Sequence, residues 1–198
     1  FGIGSADIDN AEFVRGFAAA MAGKELEVSE KDIQAAMMAL QSTMEKREKD
    51  LAAKNLEAGK KFLEENGKRK EVTTTKSGLQ YEVLAKGGDK KYEAPKDGKE
   101  DSKQFLVNYR GTLIDGTEPE GQPVPMTLQV IPGFKEAITT MPVGAKWKLF
   151  IPAALAYGEQ RGSAQLGPNS TLIFELELVG IEDAPQQPSG FPMPAPGQ

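Results

Sequence analysis

The sequence predicts an α+β fold: an all-helical N-terminal module with one long connecting helix, then an antiparallel sheet wrapped on a short helix. Three observations carry this. Apolar residues recur at three- and four-residue spacing from Asp9 to about Asn66, and no proline falls in that stretch. From Glu71 onward the pattern changes to strand-like alternation punctuated by glycine and proline. A single helical stretch, "GFKEAITTMPVG", interrupts the strands and ends at Pro142.

In the first helix Phe13, Phe17, Ala20 and Met21 share a face, with Asp9 or Asn10 as the cap and Gly23 near the end. "SEKD" at Ser29 to Asp32 has the form of a capping box with aspartate in place of glutamate. Ile33, Met37, Leu40, Met44, Leu51, Leu56, Phe62 and Leu63 then follow at mostly helical intervals, interrupted by the single glycine Gly59. One helix of about 35 residues ending near Asn66-Gly67 would be about 50 Å long at 1.5 Å per residue. Its first half carries a methionine-rich apolar stripe, and "EKREKDLAAKNLEAGKK" is mostly charged. Two readings stay open: a helix packed along its own domain, or a stripe buried against a second copy with the charged half crossing solvent as a spacer. Strands are expected in "GLQYEVLAKG", "KQFLVNYRGTLIDG", "AKWKLFIP" and "STLIFELELVGIE". The expected domains are residues 1–66, 67–182 and a flexible proline-rich tail at 183–198.

The chain has 198 residues and a formal charge of −5 from intermixed charges of both signs, without the basic excess of a nucleic-acid footprint. No run reaches the roughly 18 apolar residues of a membrane span. Cysteine and histidine are absent, which excludes disulfides, thiol nucleophiles, the usual zinc sites and every Ser-His or Cys-His relay. Any chemistry must then use carboxylates, tyrosines, backbone groups or a shaped apolar pocket. The first residue is Phe1, as in a mature or truncated form.

Taken together, "VNYRGTLIDGT", "VIPGFKEAI", "MPVGAKWKLFIPAALAYGE" and "GPNSTLIFELELVGIE" resemble the FKBP-type peptidyl-prolyl cis-trans isomerases. "KNLEAGKKFLEENGKRKEVTTTKSGLQYEVL" is similar to the branch that includes the macrophage infectivity potentiator proteins. The resemblance implies an antiparallel half-barrel sheet, isomerisation of Xaa-Pro bonds in unfolded or exported polypeptides, and a chaperone role. It implies no cofactor and no metal. It also implies proline-containing clients, a homodimer through the N-terminal helices, macrolide inhibitor binding and a periplasmic or cell-envelope location, with the cytoplasm as the alternative.

Carried over residue by residue, the resemblance assigns Tyr109 and Tyr157 to catalysis, with the Tyr157 hydroxyl donating to the substrate carbonyl. Glu120, which stands where the family has an aspartate, is assigned to catalysis with them. Met126, Val130, Ile131, Phe134, Leu166 and Phe174 are assigned to substrate binding, Phe134 replacing a tryptophan at the pocket base. Trp147 is read as core or sheet face. The chain departs from the family at "TEPEGQPVPM", Thr117 to Met126, where a pocket phenylalanine and several rim residues are missing. The shortened rim at 117–122 implies the alternative of an FKBP-fold chaperone or binding module with weak or no isomerase activity.

Overall fold

The computed structural model describes residues 9–24, 29–94, 103–114, 116 and 129–183. Helix α1, Asn10–Met21, starts where the Asp9 carboxylate accepts the backbone N–H groups of Ala11 and Glu12. Helix α2, Glu30–Asn66, is a continuous 37-residue helix. The Ser29 hydroxyl accepts the Asp32 N–H and donates to the Asp32 carboxylate, so two polar groups at the helix start are satisfied locally.

The sheet contains β1 (Val72–Thr74), β2 (Gln80–Lys86), β3 (Lys103–Leu113), β4 (Ala145–Ile151) and β5 (Leu172–Asp183). Its order is β1-β2-β4-β5-β3, with every pairing antiparallel. Helix α3, Pro132–Thr140, lies between β3 and β4 in sequence, and Pro132 opens it where a missing N–H costs nothing. The short edge strand β1 was not anticipated, because "VTT" shows no alternation.

Alternation along the strands divides the sheet into two faces. The inner face presents Phe105 and Val107 of β3, Ala145, Trp147, Leu149 and Ile151 of β4, and Leu172, Leu176 and Leu178 of β5. It buries Phe134, Ala137 and Ile138 of α3 and Met141, which follows the helix. Trp147 stacks on Tyr81, diagonal to it across β2 and β4, with ring centroids 4.2 Å apart and planes 7° from parallel. Its reading as a core residue holds. The outer face is a polar lattice in which Lys146 and Lys148 approach Glu175 and Asn108 donates to Glu177.

One end of that outer face is apolar, and the second half of α2 covers it. Phe62 meets Phe150 with centroids 5.9 Å apart. Gly59 is buried against Thr171: a Cβ there would lie 2.3 Å from Thr171 Oγ1. At the end of α2, Asn66 and Gln80 are both buried. Asn66 Nδ2 donates to Gln80 Oε1 at 2.9 Å, and Gln80 Nε2 donates to the Leu63 carbonyl at 2.8 Å. Arg69 closes the group by donating to Asn66 Oδ1 and pairing with Glu82. The solvent-spanning spacer is therefore corrected: from Glu48 onward the helix contacts the sheet domain through polar residues and a glycine interleaved with Leu51, Ala52, Phe62 and Leu63.

In an isolated helix Gly59→Ala would gain about 1 kcal/mol. Here the new methyl must displace Thr171, so Gly59→Ala is predicted to destabilise by about 1–3 kcal/mol in urea unfolding. Adding Thr171→Ala removes the obstructing hydroxyl, and the double variant should regain wild-type stability or exceed it.

Candidate functional site

Three aromatic rings from three elements meet on the inner face. Tyr109 comes from β3, Phe134 from the first turn of α3 and Phe174 from β5. Tyr109 and Phe134 are edge to face with centroids 5.9 Å apart, Tyr109 and Phe174 are at 6.1 Å, and Phe134 and Phe174 are at 5.2 Å with planes 89° apart. All three pairs are T-shaped, an arrangement favoured by aromatic quadrupoles. Phe134 is buried, while Tyr109 and Phe174 are half-buried and border the cluster.

Local sequence makes room for this. Gly111 pairs directly with Phe174, and a Cβ on Gly111 would lie 2.6 Å from the Phe174 ring. The glycine two residues beyond Tyr109 thus lets Phe174 spread across β3 beside the tyrosine. Val130 and Ile131 immediately precede α3, where the Ile131 carbonyl accepts the N–H groups of Phe134 and Lys135. Both side chains are half-buried and pack against the same apolar cluster.

Tyr157 follows a short 3-10 turn, Ala153–Leu155, and is 48% exposed. The loop after it closes where the Asn169 N–H donates to the Gly158 carbonyl at 2.7 Å. Inside the loop, Gly162 N–H donates to the Leu166 carbonyl, and the Ser163 hydroxyl accepts the Leu166 N–H. Leu166 is buried in the apolar cluster. Gly162 stands between it and Tyr157: a Cβ there would be 2.4 Å from Leu166 Cδ2 and 3.3 Å from Tyr157 Cδ2.

Of the residues assigned from the sequence, Tyr109, Val130, Ile131, Phe134, Leu166 and Phe174 are thus brought to one apolar cluster, and Tyr157 borders it through Gly162. Glu120 and Met126 lie outside the described residues, as does the shortened rim. Sequence reasoning missed Gly111 and Gly162, whose close approaches carry no local signal, and Leu155 and Ala156, which pack against the same cluster. Among the described residues no group of three or more acidic side chains is arranged to hold a metal ion. The residues brought together offer an apolar aromatic surface with tyrosine hydroxyls nearby, suited to desolvating and orienting a neutral chain segment.

Residues 3–83 match the domain amino-terminal to FKBP-type peptidyl-prolyl isomerase, and residues 93–179 match the FKBP-type peptidyl-prolyl cis-trans isomerase domain itself. The chain is 39% identical over 190 residues to the FKBP-type peptidyl-prolyl cis-trans isomerase FkpA of Escherichia coli, covering 90% of this chain and 67% of that protein. It is 35% identical to the peptidyl-prolyl cis-trans isomerase Mip of Coxiella burnetii, covering 88% of this chain and 77% of that protein. The crystal structure of FkpA from Escherichia coli superposes with a TM-score of 0.67 at 34% identity, covering 90% of this chain and 84% of that one. The chain belongs to the FKBP-type peptidyl-prolyl cis-trans isomerases.

Gly111→Ala is predicted to push the Phe174 ring from its place, lowering stability by about 1–3 kcal/mol in chemical denaturation. Gly111→Ala with Phe174→Leu should recover part of that loss; equal stability of Gly111→Ala and wild type would show that the ring does not need the space.

Proposed function

We propose that this FKBP-type peptidyl-prolyl cis-trans isomerase acts on Xaa-Pro bonds of unfolded or exported polypeptides through the cluster of Tyr109, Phe134 and Phe174. The observation that carries the assignment is that three-ring cluster, bordered by Val130, Ile131 and Leu166 with Tyr157 beside it.

The chemistry asks little of reactive side chains. An Xaa-Pro amide isomerises in tens to hundreds of seconds because rotation breaks resonance, with a barrier of about 18–20 kcal/mol. No covalent bond forms or breaks, so the catalyst needs only to bind the twisted amide more tightly than the planar one. Each preference of about 1.4 kcal/mol gives roughly tenfold in rate. A twisted carbonyl carries less charge separation than a planar one and loses less on leaving water. Surrounding it with the edges and faces of Tyr109, Phe134 and Phe174 therefore favours the transition state over the ground state. The Tyr157 hydroxyl donates to the carbonyl oxygen, orienting the bound segment while the prolyl ring occupies the apolar floor.

The domain division at 66/67, with a tail beyond β5, whose last residue is Asp183, belongs to the same proposal. So does a homodimer through the N-terminal helices. Phe13, Phe17 and Met21 of α1 are exposed by 61%, 61% and 76%, and Met37 of α2 by 63%, an apolar surface that a second copy would cover. A periplasmic or envelope location is supported by similarity to the outer membrane protein MIP of Legionella longbeachae, 35% identical over 188 residues. Macrolides are expected to compete with the prolyl segment for the aromatic cluster.

In a proline peptide assay the chain should accelerate cis-trans exchange above the uncatalysed rate; suppression of client aggregation without acceleration would instead favour the non-catalytic chaperone. Tyr157→Phe should lower kcat/KM about three- to tenfold, the worth of one neutral hydrogen bond, with an unchanged thermal midpoint. In sedimentation the intact chain should give twice the 21.4 kDa monomer mass, and Phe17→Glu with Met37→Glu should return it to monomer. A monomeric wild-type chain would refute the dimer.

A further inference from the structure

Both limbs of the loop that follows Tyr157 are attached to α2. On the first limb the Arg161 guanidinium forms a two-pronged pair with Glu48: Nη2 donates to Oε1 at 2.6 Å and Nε donates to Oε2 at 3.2 Å. The same guanidinium donates through Nη1 to the carbonyls of Ser163 and Ala164 at 3.2 and 2.9 Å. On the second limb Asn55 Nδ2 donates to the Pro168 carbonyl at 2.8 Å, and Asn169 Nδ2 reaches the Ala52 carbonyl at 3.4 Å. Leu51 packs beside Gly167, where a Cβ would meet Leu51 Cδ2 at 3.0 Å.

We propose that Arg161, held by Glu48 of α2, is a positioning residue for isomerisation that fixes the loop wall carrying Tyr157 and Leu166. The inference rests on the isomerase reading above, and adds to it a helix that touches no substrate. Arg161 directly precedes Gly162, the residue wedged between the Tyr157 ring and the Leu166 side chain. Its guanidinium is planar and offers a fixed fork of donors, so it can bind a carboxylate with one edge and gather two carbonyls with another. A lysine ammonium is a single nitrogen and lacks the fork that grips the carboxylate with one edge while a separate nitrogen serves the carbonyls. The turn from Arg161 to Leu166 is thereby held in shape and tied to a rigid helix.

The exposure of the pair separates positioning from stability. The Arg161 and Glu48 side chains are 36% and 42% exposed, and exposed pairs of this kind add little to global stability. Their loss should release the loop locally while the sheet and α3 stay folded. Small displacements of groups that orient a substrate have large kinetic effects, so activity should fall where the melting temperature does not.

The test uses the full chain and the variants Arg161→Ala, Glu48→Ala and their combination. It measures peptide isomerisation, thermal midpoint and amide hydrogen exchange at Gly162 and Leu166. Arg161→Ala should lower kcat/KM about tenfold, with Glu48→Ala somewhat less affected and the double variant no worse than Arg161→Ala. The losses should be shared between KM, through Leu166, and kcat, through Tyr157. Exchange at Gly162 and Leu166 should quicken in all three variants, with the thermal midpoint unchanged. Wild-type kinetics and wild-type exchange in the single variants would overturn the proposal. Losses that add in the double variant, or that track a falling midpoint, would overturn it as well. An inactive wild-type chain would overturn the isomerase reading on which it depends, and the exchange data would still show whether the tether exists.

Discussion

The arrangement depends on how closely α2 lies on the sheet. At Gly59 the helix backbone approaches Thr171 with no room for a methyl group, and at Asn66 the buried amide pair with Gln80 fixes where the helix stops. A buried pair of this kind is costly unless every group is satisfied, and here Leu63, Arg69 and Glu82 complete it. Between these two points Phe62 covers Phe150, the one large apolar side chain of β4 that faces away from the inner core. The second half of the helix is thus packed on one end of the outer face, the face away from α3, and is not a free appendage.

Much of this was legible in the sequence. The capping residues Asp9 and Ser29 marked the helix starts, because a side-chain oxygen one step before the first turn is what the free N–H groups require. The long alternating runs marked β2 to β5, and the one helical segment between them, read from Gly133 to an end at Pro142, marked α3. The ring cluster was legible only through resemblance, since nothing in the spacing of Tyr109, Phe134 and Phe174 shows that three elements converge. The docking of α2 was illegible for a physical reason. It relies on Glu48, Asn55, Gly59 and Asn66, residues that in a charged helix read as solvated, and each finds its partner more than ten residues away in sequence. The strand β1 escaped because three residues are too few to set a period.

The ring cluster shows how a core and a candidate site share material. Phe134 is buried with the packing residues of the core, yet it meets Tyr109 and Phe174, which remain half open, in T-shaped contacts. Rigid packing behind the rings is what lets them hold shape when a chain segment arrives, and pre-organisation of this kind spares the entropy of ordering loose side chains on binding. An isomerase that makes no bonds depends on such shape more than on any single acid or base.

The family resemblance assigns Phe134 to the pocket base in place of a tryptophan, and the chain's one tryptophan, Trp147, is buried on β4 against Tyr81. The molecule therefore carries its principal fluorophore inside the sheet. Its emission follows the integrity of the β2 and β4 pairing, and optical detection of pocket occupancy has to come from a labelled ligand.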